Sequence, residues 1–324
     1  MPRAKRRSAA PASAPDPRLL REVLAGLGRR PRSLPSRLFY DERGSRLFQW
    51  ITNLPGHYLT RCEREILERH GDEVARRLGG RPCVAVDLGA GDGHKARLIL
   101  ERLRARCPAV TYVPLDLSPA ALGEAEARVR AELPGVAVRP LRAEYADGLR
   151  RLEAEPGARL VLFLGSSIGN LEHRQAAAFL RELRLSLRSG DHALVGFDLV
   201  KPVAVLRAAY DDPQGVTGAF NLNLLVRLNR ELGADFDPAA FRHVATFDRS
   251  RPAMESWLES ARRQTAHVAG RAFALEAGER IHTEISCKYT RRQVAAFARG
   301  AGFAEVARFE DRRRWFLAAL WSVA

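Results

Sequence analysis

The hydrophobic positions of the chain change period several times, and each change marks an element. Over 63–78 (EREILERHGDEVARRL) apolar residues recur every three or four positions among charges, the pattern of a helix with one buried face. CVAVDL at 83–88 is a short, nearly continuous apolar run, as expected of a strand covered on both sides. Helical spacing returns over 95–106, an apolar run over 110–115, helical spacing over 119–132 and a third run over 136–141. A fourth strand is expected at 160–164, a helix at 175–187 and a fifth strand at 192–198. Strands alternating with helices predict a parallel α/β sheet.

Beyond Val200 the rhythm breaks. Residues 201–288 read as mixed helix and strand, punctuated by Pro213, Gly215 and Gly233. A helix is expected at 291–302, then two strands at 305–309 and 315–323. The predicted organisation is a doubly wound α/β core from 63–199 and 289–324, with a second, α+β domain from 18–62 and 200–288. Residues 1–17, rich in Pro, Ala and Arg, read as a disordered tail. There is no internal repeat.

With 46% hydrophobic and 28% charged residues, the chain has the composition of a soluble globular protein. No apolar run approaches the roughly 20 residues that span a bilayer. The basic start is not followed by an apolar segment, so no secretory signal is read, and a cytoplasmic monomer is expected. A net charge of +15 raises the question of nucleic acid. Of 53 basic residues, however, only Lys5, Lys95, Lys201 and Lys288 are lysine, and the arginines are interspersed with acids. That distribution describes solvated helix faces, and no nucleic-acid partner is expected. The four cysteines form no CxxC and no HExxH is present, so neither a metal nor a disulfide is expected.

The strand 83–88 runs into Gly89-Ala90-Gly91-Asp92-Gly93, where glycines let a ligand approach the backbone at a helix start. The second strand ends in Asp116, a carboxylate placed to accept from both hydroxyls of a ribose. NAD and S-adenosylmethionine both carry such a ribose. A dinucleotide fingerprint wants its third glycine one residue later, so the spacing favours S-adenosylmethionine. After the third strand, Glu144 is an acid of the kind that accepts from an adenine amino group and Tyr145 a ring of the kind that flanks one, but read alone the stretch is an ordinary loop. The fourth strand ends in LGSSIGN: Gly165 exposes a carbonyl and Asn170 offers an amide that both donates and accepts. That combination suits the amine and carboxylate of an amino acid. The Asn/Asp-Pro-Pro-aromatic motif of enzymes that methylate base amines is absent.

The glycine loop resembles the first motif of class I methyltransferases, a Rossmann-like fold whose late strands form a reversed edge. Further motifs are more specific: RLFYDERGSRLF (37–48), LPGHYLTRCE (54–63), LGAGDGHK (88–95), FLGSSIGN (163–170), AYDDPQGVTGAFNLNLL (209–225), NRELGADFD (229–237) and TEISCKY (283–289). Together they resemble the histidine-specific N-alpha-methyltransferase family, which makes hercynine in ergothioneine biosynthesis, from about Ser33 onward. The resemblance implies that Gly89, Lys95, Asp116, Glu144 and Tyr145 hold S-adenosylmethionine. It implies that Asn170 and Tyr210 bind the substrate carboxylate, and that Glu284 and Ser286 bind its imidazole. Tyr40 and Phe48 would line the pocket, with Gly165 and Ser167 near the amine. A carboxylate such as Glu284 accepting from an imidazole N–H is a charge-assisted contact that apolar analogues cannot make.

Three positions depart from the family pattern. His57 stands where a ring-contacting Tyr is usual, Ser256 where the side-chain pocket usually has Met, and Glu144-Tyr145 replaces Asp-Phe. His57 and Ser256 fall on the side-chain end of the pocket, which leaves a related enzyme acting on another amino acid as the alternative. A nucleic-acid methyltransferase and a non-catalytic binding protein are the remaining classes. The expected chemistry is in-line attack of a neutral amine on the sulfonium methyl, with the protein supplying orientation.

Overall fold

A strand that is apolar at almost every position has to be covered on both faces. The computed structural model of the chain, which describes residues 16–151 and 157–323, shows what covers each strand. The chain opens with helix α1 (Pro17–Gly28), strand β1 (Arg32–Ser33), α2 (Glu42–Asn53), α3 (Tyr58–Leu78), β2 (Cys83–Leu88) and α4 (His94–Arg104). It continues through β3 (Val110–Asp116), α5 (Pro119–Glu132), β4 (Ala137–Val138), β5 (Leu141–Arg142), α6 (Tyr145–Arg151), β6 (Ala158–Phe163), α7 (His173–Leu185) and β7 (His192–Asp198). Then come α8 (Val203–Tyr210), α9 (Val216–Leu232), β8 (Phe241–Asp248), β9 (Ala253–Ser260), β10 (Gln264–Val268), β11 (Arg271–Leu275) and β12 (Arg280–Cys287). The chain closes with α10 (Arg291–Ala301), β13 (Ala304–Glu310) and β14 (Phe316–Ser322).

The large sheet has eight strands in the order β13-β14-β7-β6-β2-β3-β4, with β5 also on β3. β2 to β7 pair in parallel, whereas β14 pairs antiparallel with β7 and β13 antiparallel with β14. The alternation of β2 and β6 divides two apolar layers. Cys83, Ala85, Leu160 and Leu162 pack under α3, α4 and α5. Val84, Val86, Val161 and Phe163 pack under α7 and α10.

Two expected elements differ. The strand expected at 136–141 is two short bridges to β3, separated by Arg139 and Pro140; a proline has no N–H to give the ladder. The helix expected from residue 63 starts at Tyr58, because Tyr58, Leu59, Cys62 and Ile66 already form its buried stripe. The boundary expected at 62/63 therefore falls inside α3.

A second, four-stranded sheet has the order β1-β12-β9-β8. A third apolar cluster joins Leu19 to Ile51 with Phe220 to Ile281. The ends of the two sheets meet: Leu199 and Tyr289 form a parallel bridge, and the Tyr289 N–H donates to the Asp198 carbonyl at 2.9 Å. The expected tail lies outside the described residues except for Asp16, which caps α1, and Pro17, which begins it. Among the described residues no helix is long and apolar enough to cross a membrane.

Asp212 explains one acidic motif position. It accepts from the Val216 and Thr217 N–H groups at 2.9 and 2.7 Å, so it ties down the first turn of α9. Asp212→Ala is expected to cost about 1–2 kcal/mol, the usual range for a lost helix-start acceptor, measured by urea unfolding.

Candidate active site

The carboxyl ends of the parallel strands carry the expected residues. Asp116 ends β3, and its carboxylate accepts from the Gly91 N–H at 3.1 Å and the Ser118 N–H at 2.9 Å. Two of its roughly four acceptor positions are thereby used and the group is braced. Tyr145 opens α6 with its hydroxyl against Gly89, packed edge-on against Phe163 at 5.4 Å. Burial, with Asp116 and Asp87 nearby, holds its phenol well above the ordinary range. Glu144 stands apart: at the surface it takes an ion pair from Arg18 at 3.1 Å.

Gly165 follows β6 at φ +75°, a conformation that costs a residue with a Cβ. A Cβ there would also come within 2.9 Å of the Lys95 ammonium. Ser166 follows at φ +56°, and its Oγ accepts from the Asp198 N–H at 3.0 Å. The strain at Ser166 is tolerated where the surroundings over-determine the turn. Glu63 supplies much of that determination. Its buried carboxylate accepts from the Gly165 N–H at 2.8 Å and from the Lys95 ammonium at 2.7 Å. No role had been assigned to Glu63 from the sequence. Ser167 turns inward, its Oγ donating to the Leu164 carbonyl at 2.8 Å. The partly exposed Asn170 ends the same turn, and its amide makes no hydrogen bond among the described residues.

The opposite wall comes from the second sheet. β12 carries a register shift between His282 and Glu284, a bulge that re-aims the strand. Thr283 fastens it, donating at 2.9 Å in a bond shared between Asn221 Oδ1 and the Ser256 carbonyl. Glu284 then faces Ser256, whose Oγ donates to it at 3.3 Å. Burial pushes the Glu284 carboxyl up to about 7, against the opposing pull of Lys288 and Ser256. Two residues on along the same strand, Ser286 Oγ lies 2.7 Å from the Tyr210 hydroxyl. The residues expected at the carboxylate end and at the ring end thus share one hydroxyl pair.

Tyr40 sits between the two walls. Its phenol is held far above the ordinary range by burial and by the negative charge of Glu284, Tyr145, Asp116 and Tyr210 when ionised. It packs edge-on against Phe48 at 5.9 Å and Phe220 at 6.0 Å; Phe48 is 38% exposed and forms the rim. His57 is buried, and its Nδ1 has no partner among the described residues. Burial pushes its imidazole down to about 4, with Lys95, Arg61 and Lys288 adding to the effect against Asp198, so the ring is neutral.

Beneath this pocket lies a charged network that sequence reasoning missed. Asp198, wholly buried, accepts from Tyr58 Oη at 2.6 Å, from Lys201 Nζ and from Lys288 Nζ, the last at 2.9 Å. Burial alone would raise the Asp198 carboxyl; Lys288, Lys201 and Tyr58 outweigh it and hold it ionised.

A mostly parallel sheet with a reversed edge, a glycine loop facing a strand-end carboxylate, and a polar pocket beyond the fourth strand define a class I S-adenosylmethionine-dependent methyltransferase. Residues 19–323 match the family model described as histidine-specific methyltransferase, SAM-dependent, and the chain belongs to that family. It is 40% identical to a histidine N-alpha-methyltransferase of Mycobacterium tuberculosis over 92% of this chain and 90% of that one. It is 41% identical to the protein of the same name from Mycolicibacterium smegmatis over 88% of each chain. It is 30% identical to ergothioneine biosynthesis protein 1 of Schizosaccharomyces pombe over 86% of this chain and 37% of that longer one.

The Glu284 carboxyl gives a signed pH test. Its ionised form, the one able to accept from a ring N–H as the family resemblance implies, prevails above about 7 and is lost as pH falls through that value. Histidine affinity, titrated calorimetrically into protein saturated with S-adenosylhomocysteine, is expected to weaken about tenfold more between pH 8 and pH 6 in the wild type than in Glu284→Gln. Parallel profiles in the two proteins would remove Glu284 from ring recognition.

Proposed function

We propose that the protein is an S-adenosylmethionine-dependent N-alpha-methyltransferase that converts L-histidine to its trimethylated betaine, hercynine, in ergothioneine biosynthesis. The observation that carries the substrate is the 40% identity, along nine-tenths of both chains, to a histidine N-alpha-methyltransferase. The geometry agrees with it. Glu284, a carboxyl acceptor, and Ser286 lie along one strand, and Ser286 is bonded to Tyr210 at the end of α8. They face a turn whose Asn170 amide has no partner among the described residues.

S-adenosylmethionine bound over Gly89 and Asp116 supplies a methyl group on a positively charged sulfur, already activated toward a nucleophile. Asp116, braced by two backbone N–H groups, receives the ribose hydroxyls, and Tyr145 flanks the adenine. Lys95 and Glu63 keep the Gly165 turn in place. Asn170 and the Gly165 carbonyl orient the substrate amine, which must be neutral to attack. An amine of this type titrates at about pH 8 to 9, close to the α-amino reference of about 7.7–8.0, so a strong base is not obligatory and the proton can leave through water. The small side chains at 165–167 leave room for successive methyl groups.

A second reading, a relative acting on the α-amine of another amino acid, rests on His57, buried with an Nδ1 that has no partner among the described residues, and on Ser256, already bonded to Glu284. One experiment separates the two. Purified protein is incubated with S-adenosylmethionine and an equimolar mixture of the twenty amino acids, and products are identified by mass. Histidine gaining three methyl groups is expected; methylation of a different amino acid alone would refute the histidine assignment. In the same assay Asn170→Ala is expected to lower kcat/KM by about 100-fold or more, the cost of losing alignment in a positioned reaction, with its unfolding midpoint unchanged.

A further inference from the structure

Only four of the 53 basic residues are lysine, and two of those, Lys201 and Lys288, converge on one buried carboxylate. Their side chains are 2% and 0% exposed, and that of Asp198 is 0% exposed. Two ammonium groups against one carboxylate leave a surplus positive charge in the interior. Such a charge is costly unless something of opposite sign completes it. Glu284 also feels the charge of Lys288, but burial holds its carboxyl up at about 7, so near neutral pH it offsets the surplus only in part. His57, also within reach, is neutral.

The hydrogen atoms can be counted. The Lys288 ammonium has three donors. They go to Asp198 Oδ2 at 2.9 Å, Tyr210 Oη at 2.9 Å and Ser286 Oγ at 2.8 Å. Tyr210 and Ser286 each own one hydroxyl hydrogen, and the 2.7 Å bond between them uses one of the two. One O–H remains. Whichever of the two hydroxyls donates in that bond, the pair keeps one O–H of its own. With Lys288 occupying a lone pair on both oxygens, the pair presents a polarised donor to the pocket.

We propose that Lys288, with Lys201 and Asp198 behind it, is a specificity-determining positioning group. It turns the Tyr210–Ser286 pair into a one-sided donor and leaves a surplus positive charge that selects substrates with a free α-carboxylate. The proposal rests on the reading of the pocket as an amino acid site. It accounts for the use of lysine here, since the flat guanidinium of arginine cannot send three bonds from one nitrogen to three such acceptors. The protonation states agree. Burial opposes charge on Lys288, but Asp198 and Tyr210 outweigh it and keep it charged. Burial pushes Lys201 down to about 8, with Lys288 adding to the effect against the pull of Asp198, so at neutral pH it too carries its proton.

The test compares L-histidine with L-histidinamide, which keeps the ring and amine and lacks the anionic carboxylate. Both are titrated calorimetrically into protein saturated with S-adenosylhomocysteine. Wild type is expected to bind histidine about 100-fold more tightly than the amide, as for a charge met by a buried partner. In Lys288→Met that ratio is expected to fall below about fivefold, histidine binding weakening far more than amide binding, while the affinity for S-adenosylhomocysteine is unchanged. A Lys288→Met protein that binds S-adenosylhomocysteine normally and keeps the full ratio overturns the proposal. Should that variant not bind S-adenosylhomocysteine, Lys201→Met decides. It removes the surplus charge without touching the three bonds of Lys288, and is expected to reduce the ratio about tenfold; an unchanged ratio overturns the proposal. If the wild type methylates another amino acid, that amino acid and its amide replace the histidine pair, so loss of the histidine assignment leaves the Lys288 result standing by itself.

Discussion

The Asp198 carboxylate is the contact on which the rest of the site depends. It ends β7, and its bonds reach Tyr58 at the start of α3, Lys201 just beyond β7, and Lys288 just beyond β12. Its backbone N–H holds Ser166 in the strained turn after β6. One residue thus ties the large sheet to the small one and both to the Gly165–Asn170 turn. An unpaired carboxylate at that depth would be expensive, so the geometry of all four neighbours is over-determined.

Helix α3 extends the same logic to the methyl-donor side. Within two turns it presents Tyr58 to Asp198 and Glu63 to Lys95 and Gly165, and His57 directly precedes it. The walls of the pocket therefore share a support, and the glycine loop and the amino acid site are held in register by one rod. Glu63 is acidic and sits in an otherwise apolar stripe of that helix, which makes sense only as a partner to groups arriving from elsewhere.

Much of this was legible in the chain. The alternation of short apolar runs with helical spacing defines the parallel sheet, and Asp116 and the glycine loop fall at its strand ends as expected. The break at 139–140 was less visible, because a proline interrupts pairing without interrupting hydrophobicity. The start of α3 was read late, because YLTRC carries less charge contrast than the residues that follow. Tyr58, Glu63 and Lys288 all lay inside recognised motifs, yet no role followed for them. Their partners are distant in sequence, up to 140 residues for Tyr58 and Asp198, and no periodicity reports such a pairing. The one available signal was compositional: a chain that uses arginine almost everywhere kept lysine at 95, 201 and 288, all three inside the site.

The bulge in β12 has a consequence for how such a pocket can change. Glu284, facing Ser256, and Ser286, with Lys288 beyond it, alternate along one strand, a pleat apart. The Tyr210–Ser286 pair is fixed through Lys288 by the Asp198 network. Glu284, which we propose reads the side chain, hangs on a cross-strand pair of its own. A lineage could exchange the reading position while the Tyr210–Ser286 pair stays constant, so new substrates are reachable by editing one rung of a ladder.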